Sequence, residues 1–351
     1  MRSLTLFFVL AVIFFGGRLL LLAWSRDCRG DEFARKWGPD GVRNSGQPLR
    51  EGNGHFGDSV LSVENEEERP NLLLVTAVDT AHCETYRGSE FTLKALQNKI
   101  DYARLHNYSL WNSVEMLDSK FDNWWVKIIL LKKLMLANPS MEWFLWIDTD
   151  VLITDMSMRI PLEKYEGYDF VLHGDRIRVF EEPHWLGLNT GVFLLRNTEW
   201  SLEFLDALLA TGEAGEVRDS FGRLLNEKLK GRKEAAQDFP ADDQSSTVYL
   251  LSTFPEKWAT KTYIDEEFIF NTWFIDVLKR LDQIGGGSSG EKLPFTCHFN
   301  GCKFCHGHGD AGREAACVDN FDRVYHYAND QVLKSLGLKH KVLGSPEIVE
   351  I

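Results

Sequence analysis

The chain has 351 residues, 44% hydrophobic and 26% charged, too long and apolar for a disordered polymer and enough for one large α/β domain or two small ones. Lys plus Arg number 39 against 52 Asp plus Glu, a net charge of −13 with no basic cluster, which argues against nucleic-acid binding. Six cysteines are too few for a small disulfide scaffold, and eleven tryptophans suit both a core and the apolar faces of ring-shaped ligands.

Leu4 to Phe15 is apolar apart from Thr5, with Arg2 in front; Gly16, Gly17 and Arg18 interrupt it, and Leu19 to Trp24 resume it. Counted through Arg18, the segment reaches the roughly 20 residues a bilayer helix needs, with Arg18 free to snorkel. Residues 1–24 are therefore read as a signal anchor, with a cleaved signal peptide as the alternative. Either way the remainder faces the secretory lumen. Residues 25–70 are polar and aperiodic, with a mostly acidic run from Glu64 to Arg69, and read as a flexible stem. The folded domain is expected over 71–351.

Asn71–Thr76 reads as a buried parallel strand and residues 86–106 as a helix burying Phe91, Leu93, Leu96, Ile100 and Leu105. Tyr108–Trp111 is a second strand, Trp124–Ala137 a second helix closed by Pro139, and Glu142–Ile147 a third, wholly buried strand. This alternation predicts an α/β fold with a doubly wound, Rossmann-like sheet, whose ligands collect at the carboxyl ends of the strands. Further on, Phe170–Leu172 and Thr190–Leu195 read as strands, Leu202–Leu209 as a helix, 211–240 as helix and loop, Ser245–Ser252 as a packed segment, and Gly285–Gly290 as a flexible loop.

The third strand ends abruptly in Asp148-Thr149-Asp150. Two carboxylates one residue apart at a strand end can share one hard cation, Mg²⁺ or Mn²⁺, leaving other positions for water and phosphate. An isolated Asp-x-Asp is usually only a strand-end turn, but a strand this apolar needs one polar residue to stop, not two. Nucleotide-sugar transferases and haloacid-dehalogenase-like phosphatases both place such a pair after a buried strand. The phosphatase reading would use Asp148 as nucleophile and Asp242-Asp243 as its later acidic pair. It is disfavoured because two strands come first and Leu152 stands where Thr or Val is usual.

Several blocks in order resemble glycosyltransferase family 34, the plant and fungal α-1,6-xylosyl- and galactosyltransferases of the Golgi. They are Asn98-Lys-Ile-Asp-Tyr102 with Arg104-Leu-His106, Trp125-Val-Lys127, Leu134-Met-Leu136, and Glu142-Trp143 leading into Trp146-Ile-Asp-Thr-Asp150. Leu188-Asn-Thr-Gly191, Phe193-Leu-Leu-Arg-Asn197, Ala241-Asp-Asp-Gln-Ser245, His298-Phe-Asn-Gly-Cys-Lys303 with Cys305, Tyr327-Ala328 and Gln331-Val-Leu333 complete the series. The resemblance covers roughly 71–345. It implies a GT-A fold, a UDP-sugar donor, Mn²⁺, and transfer with retention to an α-linkage on a polysaccharide acceptor. It also implies a single-pass type II membrane protein of the Golgi with a lumenal catalytic domain, as a homodimer or in complexes with sister transferases.

By the same resemblance, Asp148, Asp150 and His298 hold the metal, and Lys303 beside Gly301 faces the diphosphate. Lys99, Asp101, Tyr102, Arg104 and the loop Thr76-Ala77-Val78 border the nucleotide, Thr149 binds the donor from between the two carboxylates, and Asn189, Thr190 and Gly191 border the donor sugar, Gly191 by permitting close backbone approach. Asp242, Asp243 and Gln244 are placed at the anomeric centre, where an oxygen on the β-face stabilises an oxocarbenium-like state; one of the two Asp can instead cap a helix. Cys302, Cys305 and Cys317 with His306 and His308 allow a zinc site, but in an oxidising lumen, with Cys297, they favour two disulfides. Ala103 and Thr198 replace the family's other cysteines, leaving Cys83 without an expected partner. Asn107-Tyr-Ser109 is a glycosylation sequon.

The leading expectation is transfer of xylose from UDP-xylose to O6 of a β-1,4-glucan, with galactose transfer to mannan as the alternative. The Asn189–Gly191 and Ala241–Ser245 blocks resemble the xylosyl branch more, and Val192 the galactosyl branch. A non-catalytic sugar-binding scaffold on the same fold would have no need of Asp148, Asp150 and His298.

Overall fold

The computed structural model describes residues 71–77, 83, 85–114, 117–236, 239–267, 270–285, 292–302, 304–305 and 311–351. The expected anchor and stem, the Val78 end of the first loop, Lys303, His306, His308 and most of the Gly-Ser loop lie outside them. In chain order the elements begin with β1 (Leu72–Ala77), α1 (Tyr86–His106), β2 (Ser109–Ser113), α2 (Val126–Ala137), β3 (Trp143–Ile147) and β4 (Val151–Ile153). Next come β5 (Phe170–Gly174), β6 (Leu188–Arg196), α3 (Glu199–Gly212), α4 (Glu216–Lys228), α5 (Arg232–Ala236), α6 (Asp243–Thr253), α7 (Pro255–Trp258) and β7 (Thr262–Asp265). The series closes with α8 (Phe274–Gly285), β8 (Thr296–His298), α9 (Ala311–Leu333), β9 (Leu338–His340) and β10 (Ile348–Glu350).

The main sheet has the order β2-β1-β3-β6-β5-β7. β1 runs parallel to β2 and β3, as a strand–helix–strand alternation requires. β6 is antiparallel to both β3 and β5, so the sheet is mixed. No long helix separates β5 from β6, and a parallel neighbour would need such a crossover. Alternate residues of β1 feed two cores: Leu73 and Val75 pack with Leu131, Leu134, Phe204 and Val248, whereas Leu72 and Leu74 pack with Tyr102, Ala103, Val171 and Phe295.

Helix α1 has the expected span and buries Phe91, but its inward face is centred on polar residues rather than on the other expected leucines and isoleucine. Thr85 caps it by accepting the Gly88 N–H at 3.0 Å, and the exposed Asn107 closes it in the left-handed conformation at φ 56°. Its buried residues include Phe91, Ala95, Asn98, Lys99, Tyr102 and His106, whereas Leu93 and Leu105 are exposed. Periodicity of apolar residues alone misplaces this helix because its inward polar side chains bond to the strand behind it. Asn98 Nδ2 donates to Ile153 O at 2.9 Å, and the Ile153 N–H donates to Asn98 Oδ1 at 2.7 Å.

The cysteines also depart from expectation. Cys83 pairs with Cys305 and Cys302 with Cys317, while Cys297 is a buried free thiol. Cys83 therefore has a partner, Cys297 is in no bridge, and the three cysteines of the zinc alternative are consumed as disulfides. Thr198, in place of a family cysteine, caps α3 by accepting the Ser201 N–H at 3.2 Å.

Candidate active site

The site is assembled where β3 ends. The Asp148 N–H donates to Gly191 O at 2.8 Å, fixing the turn against β6, and the Thr149 hydroxyl donates to Ala77 O at the end of β1. Residues Val151–Ile153 then pair antiparallel with β8, placing Val151 opposite His298, and the Phe299 N–H donates to Asp150 O at 3.0 Å. A ladder of three residues thus joins a histidine from the far end of the chain to the two-carboxylate turn. His298 Nε2 lies 3.2 Å from Asp150 Oδ1, and one ligand atom each from Asp148, Asp150 and His298 falls within 4.8 Å of the others.

Two carboxylates and an imidazole form a donor set suited to Mn²⁺ or a similar divalent ion. The surrounding contacts fit that use. His298 Nδ1 lies 3.0 Å from the Asn271 side-chain oxygen, an acceptor, so Nδ1 carries the proton and Nε2 is turned to Asp150. Burial works against charge on both partners, yet Asp150 raises the pKa of His298 and His298 in turn lowers that of Asp150.

Asp148 Oδ1 accepts from Trp146 Nε1 at 2.6 Å and lies 3.2 Å from Lys127 Nζ. Lys127 is buried, 5% exposed, and its ammonium also lies 3.0 Å from Asp243 Oδ2 and donates to Thr190 O at 3.1 Å. Burial alone would lower its pKa, but Asp148 and then Asp243 outweigh that and raise it. One cation therefore ties the β3 turn, the β6 strand and the start of α6 together. Neighbouring Trp125 donates its indole N–H to Ala241 O at 3.1 Å, so both ends of the Trp125-Val-Lys127 block grip the acidic segment.

Asp242, Asp243 and Gln244 have three different roles. Asp242 caps α6, accepting the Ser245 N–H at 2.7 Å, and lies 3.2 Å from Arg232 Nη2. Arg232 is wholly buried and also reaches Ser245, Asn226 and the carbonyls of Gly222, Phe239 and Pro240. Asp242 is thus committed to structure. Asp243 is the partner of Lys127, and Gln244 donates to Trp185 O at 3.1 Å and lines a cavity. That cavity, about 420 Å³, is bounded by His298, Asn271, Asn189, Gln244 and Trp273, with Asp175 and Glu266 farther out.

Gly191 is needed for a reason other than sugar approach: the His298 ring lies against it, and a Cβ there would sit 2.7 Å from Nδ1. Asn189 turns back to accept the Gly191 N–H at 2.7 Å. Gly301, at φ 80°, takes the left-handed position of the turn that the Cys302 N–H closes on Phe299 O at 2.9 Å.

The expected nucleotide block on α1 divides. Lys99 is buried behind the turn, donating to Val151 O at 2.8 Å and reaching Thr149 O at 3.5 Å, and burial lowers its pKa to about 7. Tyr102 is fully buried against His106, Tyr108 and Phe295 and donates to Met158 O at 2.7 Å, so it is a core residue and cannot stack on a base. Asp101 accepts from Gln97 at 2.7 Å, and Arg104 is exposed. Neither joins the cluster. Thr76 is buried at the end of β1, its hydroxyl without a hydrogen-bond partner among the described residues. Sequence reasoning gave no role to Lys127, Trp146, Arg232 or Asn271; a lysine in the first turn of α2, directly before the apolar run Ile128–Leu131, was the available signal for the first.

The profile of the galactosyl transferase GMA12/MNN10 family matches residues 68–309. "Probable glycosyltransferase 3" of Oryza sativa subsp. indica is 37% identical over 87% of this chain and 63% of its own length. "Xyloglucan 6-xylosyltransferase 4" and "Xyloglucan 6-xylosyltransferase 1" of Arabidopsis thaliana are each 37% identical, covering 81% and 80% of this chain and 55% and 61% of their own. The chain thus spans less than two thirds of the length of these relatives. A solved glycosyltransferase involved in glycosylation of the major capsid of PBCV-1 aligns at a TM-score of 0.41 and 15% identity, covering 70% of this chain and 97% of that one. The matched span takes in the β3 turn, the Lys127 bridge and His298 together, and this chain belongs to the galactosyl transferase GMA12/MNN10 family, glycosyltransferase family 34.

Proposed function

We propose that the protein is a retaining, metal-dependent glycosyltransferase of GT-A type that moves xylose from UDP-xylose to O6 of a β-1,4-glucan backbone. The observation that carries the chemistry is the convergence of Asp148, Asp150 and His298, the last of which lines a cavity of ligand size. The choice of xylose and glucan rests on the relatives named xyloglucan 6-xylosyltransferase. Membership of this family favours transfer over the phosphatase alternative.

Asp148, Asp150 and His298 would hold Mn²⁺, which when bound neutralises charge on the donor diphosphate. Asn271 keeps the His298 ring in place. Gln244, at the cavity wall, offers an amide oxygen to the donor sugar, while Lys127 holds the Asp148 and Asp243 side chains in position. Galactose transfer to a mannan remains the competing reading on the strength of the family description. A panel of UDP-xylose and UDP-galactose against cellohexaose and mannohexaose with Mn²⁺ tests the assignment. Xylosylated cellohexaose is expected; galactosylated mannohexaose alone would replace the assignment with its competitor. Replacing Asp148 and Asp150 by Ala should abolish transfer, and unchanged turnover would revive the scaffold reading.

The expected site of action is the Golgi lumen, with the apolar N-terminal segment as a type II anchor. Two disulfides suit an oxidising compartment, and the sequon residue Asn107 is exposed. Among the described residues no helix is long and apolar enough to cross a membrane. Carbonate extraction and glycosidase digestion of the full chain from microsomes test both points.

A further inference from the structure

We infer that the outer wall of the cavity, formed by Trp273, Asp175 and Glu266, is the subsite for a neutral β-1,4-linked glycan acceptor, an assignment that rests on the glycosyltransferase reading above. His298, Gln244 and these three residues line one cavity, of the size that takes a small organic ligand. The hydrogen-bonding groups on the wall bear on which substrate can lie there. Asp175 and Glu266 are both exposed carboxylates, with Arg178 on the same lining and Arg176 next to both. Carboxylates accept hydrogen bonds from hydroxyl groups, which a neutral glycan supplies along both edges of every ring.

Both carboxylates are held by the backbone. Asp175 Oδ1 accepts the Arg178 N–H at 3.1 Å, and Glu266 Oε1 accepts the Arg176 N–H at 3.1 Å. In each case the backbone bond falls on one oxygen, which orients the group and, among the described residues, leaves the second oxygen for a ligand.

Trp273 supplies the apolar half. Its side chain is large and the residue is 47% exposed, yet it is not on a loose loop. The His298 N–H donates to Thr272 O at 2.8 Å, and Trp273 O accepts from the N–H groups of Asp276 and Val277 at 3.0 and 3.2 Å as α8 begins. The ring meets Phe274 edge-on at 5.9 Å. Trp273 forms an isolated parallel bridge with His298, and its indole, in contact with Phe274, is an apolar plate in the cavity lining. A β-1,4-linked glucosyl unit has every hydroxyl equatorial, so both ring faces are flat arrays of C–H bonds that cover such a plate. An axial hydroxyl would spoil one face. The wall thus combines what recognises a glucan ribbon: a plate for the ring face and carboxylates for its edges.

The test is calorimetric binding of cellohexaose, in the presence of Mn²⁺ and UDP, to the full chain and to Trp273→Ala, Trp273→Phe, Glu266→Gln and Asp175→Asn. Trp273→Ala should weaken binding roughly tenfold and Trp273→Phe by less, with a few-fold loss for each carboxylate change. Trp111→Ala, at an exposed tryptophan on the edge strand β2, should bind as wild type. Wild-type affinity in Trp273→Ala, an equal loss in Trp111→Ala, or no cellohexaose binding by the wild type would each overturn the subsite. If Trp273→Ala does not fold, Trp273→Phe and Glu266→Gln decide, and wild-type affinity in both overturns it. UDP-xylose hydrolysis without acceptor, measured on the wild type, keeps the two readings apart. Hydrolysis with no cellohexaose binding defeats the subsite alone, and no turnover of any UDP-sugar defeats the transferase reading.

Discussion

The imidazole of His298 lies directly on the α-carbon of Gly191, with no room for a methyl group between them. β6 and β8 thus meet at the metal-ligand cluster through a contact only glycine permits. Gly191→Ala must push the ring off its bond to Asn271 or away from Asp150. We expect a loss of about 100-fold in transfer rate and weaker Mn²⁺ binding, because displacements near 1 Å cost that much at a reacting centre. The fold should survive, since the adjoining side chain can move, and a thermal scan will report that. A variant with native metal affinity and turnover would show the contact to be incidental.

Lys127 joins two carboxylates that would otherwise face each other in a buried site. Lys127→Met leaves Asp148 and Asp243 without their shared cation, and removing one partner of a buried ion pair costs about 3–5 kcal/mol. Urea denaturation should show this destabilisation together with loss of transfer. Adding Asp243→Asn removes one of the orphaned charges, so the double variant should recover about 1–3 kcal/mol of stability without recovering activity. Additive effects in that cycle would contradict the bridge.

The parallel half of the sheet was legible because β1 and β3 are short apolar runs separated by helical spacing. The Asp148–Asp150 turn was legible for the same reason, standing out against β3. Helix α1 misled because Asn98, Lys99 and Tyr102 look like a polar ligand-binding face yet point inward, where carbonyls of β4 and the Met158 segment receive them. Periodicity counts apolar side chains and is blind to a polar side chain whose partner is distant in sequence. The same blindness hid Arg232, whose five protein partners besides Asp242 are serine, asparagine and backbone oxygens. Asp242 and Asp243, adjacent and chemically identical, part company only because a helix starts between them, turning one to its own backbone and the other to Lys127.

His326 predicts a pH dependence remote from the site. Its ring stacks on His340 at 3.9 Å and its Nδ1 accepts the Gly344 N–H at 3.1 Å, a bond that requires the neutral ring. Burial, then the neighbouring His340, lowers its pKa to about 4, against about 6.5 in the unfolded chain. Below about pH 6.5 the unfolded chain takes up a proton that the folded one refuses, so this contribution is complete above that pH and is lost as pH falls toward 4. The loss approaches about 1.4 kcal/mol per pH unit, and His326→Gln should flatten the stability profile between pH 6.5 and 4. Identical profiles would exclude His326 as the source.

The two disulfides should differ in weight. Cys83–Cys305 joins residues 222 apart in sequence, whereas Cys302–Cys317 spans a separation of 15. A crosslink that closes a longer loop removes more freedom from the unfolded chain, about 3 kcal/mol for a 15-residue loop and about 4.7 for a 100-residue one. The longer bridge also secures the start of α1, where a Cβ at Gly88 would strike the Phe304 carbonyl carbon at 2.9 Å, so the helix is packed directly on the turn that carries Cys305. Replacing Cys83 and Cys305 together by Ser should therefore lower the unfolding free energy more than the same change at Cys302 and Cys317, by about 1–2 kcal/mol. Urea titrations of both pairs in the same buffer give the comparison directly. The reverse order would mean that the turn between Cys302 and Cys317, next to β8 and His298, contributes more through native packing than loop closure accounts for.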